Sequence, residues 1–109
     1  MLESVTASDF NQKVLKAKGL IIVDYWSPTC GPCEMYNTVL QQLTQELPPH
    51  IKIFKVNIDE EILLANQEGI LVMPTTKIYK NGEAIKDILG VQSPKDLKAV
   101  LESLNELNI

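Results

Sequence analysis

Cysteine and histidine are scarce in this 109-residue sequence, with two of the first and one of the second. A four-ligand structural zinc site needs more nitrogen and sulfur ligands than that. Basic clusters are missing as well: 14 acidic residues outweigh 10 basic ones, the formal charge is −4, and no Lys/Arg-rich run occurs. Nucleic-acid binding depends on clustered cations that release counterions, so no nucleic-acid partner is expected. No apolar run approaches the ~20 residues needed to cross a bilayer. The opening residues Met1-Leu2-Glu3-Ser4-Val5-Thr6 lack the cationic stretch and long apolar segment of a secretory signal. The expectations are therefore no membrane association and a cytoplasmic location. Repeats, linkers and low-complexity segments are also absent, and the length suits one domain over residues 1–109, expected as a monomer.

What is present is ordinary globular material, 45% hydrophobic and 22% charged. A chain of this size buries enough surface to fold without staples, which leaves both cysteines free for chemistry. Thr6 and Asp9 read as a capping box ahead of Phe10, Val14 and Leu15, predicting a helix that runs to Gly19. Leu20 to Trp26 is nearly continuous in apolarity and predicts a central strand covered on both faces, ended by Pro28. From Gly31 to about Leu47, residues Met35, Val39, Leu40, Leu43 and Leu47 mark the buried face of the longest helix, which Pro48-Pro49 stops.

Ile51 to Asp59 predicts a second buried strand, with Ile51, Ile53 and Lys55 on one side and Phe54, Val56 and Ile58 on the other. Glu60 to Gln67 predicts a short helix closed by Gly69. Asn81-Gly82, between Thr75–Tyr79 and Ala84–Leu89, predicts an antiparallel hairpin. Ser93 as cap, Pro94 at the first position and Leu97, Val100, Leu101 and Leu104 as a stripe predict a last helix. A first strand near Glu3–Val5 is only faintly marked. This order implies an α/β fold with a central mixed β-sheet flanked by helices on both faces.

Cys30-Gly31-Pro32-Cys33 stands between the apolar strand and the long helix. Cys30 is thus at or just before a helix N-terminus, where unpaired N–H groups and the helix dipole favour a thiolate. Pro32 is tolerated because the first turn does not need its N–H. Alone, a Cys-x-x-Cys is equally readable as half of a metal site. The further ligand is wanting: His50 follows a helix of about 16 residues, roughly 24 Å long, and reads as a solvated loop residue. The same separation weakens a Cys–His nucleophile pair.

Beyond that motif, Val23-Asp24-Tyr25-Trp26, Lys55-Val56-Asn57-Ile58-Asp59, Met73-Pro74-Thr75 and Lys80-Asn81-Gly82-Glu83 followed by Gly90 occur in an order and spacing that resembles the thioredoxin family from about Glu3 to Leu104. Three positions depart from the family pattern: Thr29 before the first cysteine, where the family usually has Trp; Glu34 after the second, commonly Lys; and Thr38, where a helix proline is expected.

The resemblance implies a dithiol–disulfide oxidoreductase. In it Cys30 attacks a substrate disulfide, Cys33 resolves the mixed disulfide, and the two end as an intramolecular disulfide. It also implies no cofactor bound by the chain itself and no metal. Electrons would come from NADPH through a flavin-dependent thioredoxin reductase, and the substrates would be disulfide-containing proteins. Asp24 is the only charge between Leu20 and Trp26, so burial should raise its pKa and let it take the Cys33 proton; the alternative is a strand-end carboxylate reaching solvent. Lys55 either pairs with Asp24 and moderates its pKa or snorkels to the surface.

Met73 and Pro74 match a cis-proline loop that presents backbone to substrate, although trans is the usual X-Pro state. Trp26 and Gly90, with Gly31 and Pro32, complete the implied substrate-binding set; Trp26 and Gly90 read equally as core and turn. Glu34, if it points toward Cys30, opposes its thiolate. Gly-Pro between the cysteines favours a reducing potential near about −270 mV. An oxidant or isomerase on the same fold, at about −120 to −180 mV, is one rival. A binding module gripping a partner around Thr29, Met73 and Val91 without turnover is the other.

Overall fold

The computed structural model describes residues 2–104. Five strands form one sheet in the order β1-β3-β2-β4-β5, with β1 Glu3–Ser4, β2 Leu20–Trp26, β3 Lys52–Asn57, β4 Thr75–Lys80 and β5 Glu83–Leu89. β1, β3 and β2 run parallel, and β4 and β5 return antiparallel. β2 is central, as its nearly continuous apolarity predicts, and every residue from Leu20 to Tyr25 is buried.

Alternation along β2 divides the core in two. Leu20 and Ile22 face α2 (Gly31–Glu46) and α4 (Pro94–Ser103), packing with Tyr36, Leu40, Leu43, Leu97 and Leu101. Ile21, Val23 and Tyr25 face the first helix, α1 (Ala7–Phe10), and α3 (Ile62–Gln67), packing with Phe10, Val14 and Leu64. Helices therefore cover both faces of a mixed sheet, as expected. The expected division of the second strand also holds: Ile51 and Ile53 join the α2 side, Phe54, Val56 and Ile58 the other.

Several boundaries differ from expectation. The first helix ends at Leu15, short of Gly19, and its second half, Asn11–Leu15, is a π-turn in which the Lys16 N–H donates to the Asn11 carbonyl. β3 is shorter than Ile51–Asp59, and α3 begins at Ile62 because Glu61 holds the non-helical cap position. Met35 does not belong to the buried face of α2: it is 61% exposed. Tyr36 takes that place, because Thr76 offers its hydroxyl a partner at 2.6 Å inside the core. α2 runs unbroken through Thr38.

The β4–β5 turn shows why Asn-Gly is needed. Asn81 and Gly82 both have positive φ, 51° and 83°. Gly82 also lies against the Leu15 carbonyl, where an added Cβ would fall 2.1 Å from the oxygen. Asn81 ties the hairpin to the start of β2, its N–H donating to the Gly19 carbonyl and its Oδ1 accepting from the Gly19 N–H.

Candidate active site

Ser27-Pro28-Thr29-Cys30 turns the chain from β2 into α2. The Cys30 N–H donates to the Ser27 carbonyl, a four-residue turn with Pro28 at its favoured second position. Cys30 then occupies the N-cap of α2 with extended backbone, and Gly31 and Pro32 form the first helical positions. Cys30 and Cys33 are joined in a disulfide with their Cα atoms 5.3 Å apart. The two sulfur-bearing residues differ in access. Cys33 is 1% exposed beneath the first turn, whereas Cys30 is partly open to solvent.

A cleft of about 330 Å³ opens beside the disulfide, lined by Trp26, Pro28, Cys30, Cys33, Glu34 and Lys55, with Ser27 and Asn37 completing it. Asp24 lies on the same face of β2 as Trp26, the face on which α2 packs. It is 1% exposed, and neither carboxylate oxygen has a hydrogen-bond partner among the described residues. Burial drives its pKa up to about 7, against a smaller downward pull from the Lys55 ammonium. A carboxyl poised at that value can exchange a proton near neutral pH. At that burial the Asp24 side chain does not reach solvent.

Lys55 is the register partner of Asp24 across β2 and β3, and its ammonium sits 5.2 Å from the Trp26 ring centroid. It is half-buried at the cleft and acts on Asp24 through charge without a hydrogen bond. Glu34 is exposed at the cleft rim. Trp26 is partly buried, its indole N–H enclosed with no partner among the described residues.

The remaining expected residues come from the other side of β2. Thr75 pairs with Tyr25, so Met73 and Pro74 lie at the end of the sheet where β2 runs into the cysteine turn. The Met73–Pro74 bond is cis, Pro74 is buried and Met73 is 39% exposed. The Gly90 N–H donates to the Pro74 carbonyl at 2.8 Å, and Gly90 has φ +84° with open space where a Cβ would stand. Leu71, Val72 and Val91 are exposed next to them in sequence. Cys30, Cys33, Trp26, Glu34 and Lys55 thus share the cleft, while Met73, Pro74 and Gly90 form a second group held by their own hydrogen bond. His50 is exposed, and among the described residues no group of three His, Cys, Asp or Glu could hold a metal ion.

Two features lay outside the sequence reading. Asn37, one turn after Cys33, puts an enclosed and unpartnered Oδ1 into the same region. Ser27 and Asp59 join the cysteine turn to the end of β3 through a side-chain hydrogen bond. No short-range signal in the sequence pairs Ser27 with Asp59, 32 positions away.

The family model described as Thioredoxin matches residues 1–103. The chain is similar to Thioredoxin 1 of Nostoc sp., 39% identical over 98 residues that cover 90% of this chain and 92% of that protein. It is 35% identical to a thioredoxin of Rickettsia felis over 89% of this chain and 92% of that protein. With a thioredoxin of Porphyra purpurea it shares 33% identity over 92% of this chain and 94% of that protein.

Proposed function

The chain belongs to the thioredoxin family of disulfide oxidoreductases, and on that premise we propose that it reduces protein disulfides with Cys30 as the attacking thiolate. The observation that carries this assignment of roles is the unequal access of the two cysteines, Cys30 open at the helix start and Cys33 buried below it. The N-terminal N–H groups of α2 and its dipole stabilise negative charge at Cys30. The Cys30 thiolate attacks one sulfur of a substrate disulfide, forming a mixed disulfide and expelling the other substrate sulfur, which takes a proton from water. Cys33 then gives its proton to Asp24 and attacks the Cys30 sulfur, releasing the second substrate sulfur as thiolate. Two electrons have passed to the substrate, and the Cys30–Cys33 disulfide remains.

A disulfide oxidoreductase of this family needs a reductase to regenerate the dithiol. We assign that role to a flavin-dependent, NADPH-fed thioredoxin reductase and the setting to the cytoplasm. Among the described residues no helix is long and apolar enough to cross a membrane. Substrate backbone would be met by Met73 and Pro74, with Gly31, Pro32, Trp26 and Gly90 around it, and Lys55 and Glu34 would adjust the charge of the site.

The test is trapping. C33S should accumulate a mixed disulfide with substrate protein, and C30S should form none; the reverse pattern would overturn the assignment of roles. Titration of the pair against thiol buffers, read by Trp26 fluorescence, should show a two-electron transition near about −270 mV. A value of about −120 to −180 mV would make the protein an oxidant or isomerase, and no transition would leave a binding module.

A further inference from the structure

We propose that Ser27 is a positioning residue for the reactive disulfide, holding the Cys30 turn at closing distance by anchoring it to Asp59 at the end of β3. Ser27 is 1% exposed, yet its hydroxyl meets three partners. It donates to Asp59 Oδ2 at 2.9 Å, accepts from the Thr29 N–H at 3.3 Å, and lies 2.9 Å from Thr29 Oγ1. A carboxylate oxygen accepts and cannot donate, so the single Ser27 proton goes to Asp59 and Thr29 Oγ1 is the donor to Ser27. The Ser27 carbonyl meanwhile accepts the Cys30 N–H at 3.1 Å. One residue therefore fixes both backbone N–H groups that precede the helix, and it is itself fixed from the turn after β3, 32 positions away.

Asp59 is in turn held in place. Its N–H donates to Asn57 Oδ1 at 2.9 Å, and the Ile58 N–H donates to the Trp26 carbonyl at 2.9 Å, so the ends of β2 and β3 are bonded to each other. Thr29 stands where the family usually has Trp, and here its hydroxyl is part of this chain of bonds.

The consequence is redox chemistry rather than stability alone. When the disulfide opens, nothing covalent holds Cys30 near Cys33. A turn kept in place by Ser27 leaves the two sulfurs at high effective concentration, which favours reclosure, both in the free dithiol and in a mixed disulfide. Freeing the turn lets the dithiol gain conformational entropy and weakens the disulfide relative to it.

The inference rests on the reading of Cys30 as the attacking thiol, but the two fail separately: trapping with C30S and C33S decides that reading, and the equilibrium potential of the pair decides this one. Expected for S27A is a three- to tenfold shift toward the dithiol, a potential less negative by about 14–30 mV at 29.6 mV per tenfold. Resolution of the mixed disulfide should slow by a similar factor. D59A should shift the potential in the same direction, S27A/D59A no further than S27A, and D59N, which keeps an acceptor oxygen, less than D59A. L101A, a cavity on α4 remote from the turn, should lower the melting temperature and leave the potential unchanged. If S27A does not fold, T29V and D59A, both at exposed residues, carry the test. The proposal is overturned if the folded variants keep the wild-type potential, or if L101A moves it as far as they do.

Discussion

Asp24 and Tyr25 are adjacent in the chain and equally buried, yet they meet opposite polar surroundings because strand side chains alternate between faces. On the α3 side, the Tyr25 hydroxyl lies 2.6 Å from that of Tyr79, which donates to Glu68 Oε1 at 2.6 Å. Lys77 completes that side by donating to the Glu68 carbonyl and pairing with Asp87. Among the described residues no buried side-chain polar atom on that side lacks a partner. On the α2 side, Tyr36 and Thr76 satisfy each other, while both oxygens of Asp24 have no partner among the described residues. Satisfied buried networks rigidify a core, whereas an unpartnered buried carboxyl is held at a cost to stability and has its pKa raised toward neutrality. The Cys30–Cys33 disulfide lies on the side with the unmet acceptor.

The sharpest way to break this comparison is D24N. In the folded protein Asp24 titrates at about 7, against 3.8 for an ordinary aspartate. Between those values the folded chain keeps a proton that the unfolded chain has lost, so stability falls as pH rises through that window and the deficit is complete above it. At 1.36 kcal/mol per pH unit the full deficit is at most about 4 kcal/mol. Urea denaturation of the oxidised protein at pH 8 should find D24N more stable by up to that amount, with the difference shrinking by pH 4. Disulfide reduction by the variant at pH 7 should be slower by about tenfold or more. Equal pH dependence of stability in both proteins would place the charge of Asp24 in solvent contact.

The opposite face should answer oppositely. Y79F strands the Tyr25 hydroxyl and the Glu68 carboxylate together and should cost about 1–3 kcal/mol of stability. The reduction potential should stay at the wild-type value; a change in potential would show that the two faces are coupled through β2. The smallest effect belongs to M35S. Met35 is exposed on α2 next to buried Tyr36, so the substitution should change stability by no more than about 0.5 kcal/mol. A loss of several kcal/mol in denaturant would return Met35 to the core.

Much of this architecture is written in short-range patterns. The order of strands and helices, the Asn81-Gly82 turn, the Ser93-Pro94 cap and the cysteine pair at the start of the longest helix follow from residue types a few positions apart. Such features depend on φ preferences, hydrophobic period and capping, which neighbours in sequence largely set. The misread places are those where a distant partner decides. The choice of Tyr36 over Met35 depends on a hydroxyl on β4, and the early stop of the first helix accompanies a π-turn whose last carbonyl lies against Gly82.

The sequence by itself determined that a closely spaced cysteine pair would sit at a helix N-terminus, and that one aspartate would be the sole charge in an apolar strand. Only the tertiary structure decided that Asp24 has no hydrogen-bond partner among the described residues, that Cys30 rather than Cys33 reaches solvent, that Gly90 bonds to Pro74, and that Ser27 is tied to Asp59. The reason is physical. Propensity and periodicity act along the chain, but desolvation, access and the pairing of buried polar groups depend on which strands and helices come together across it.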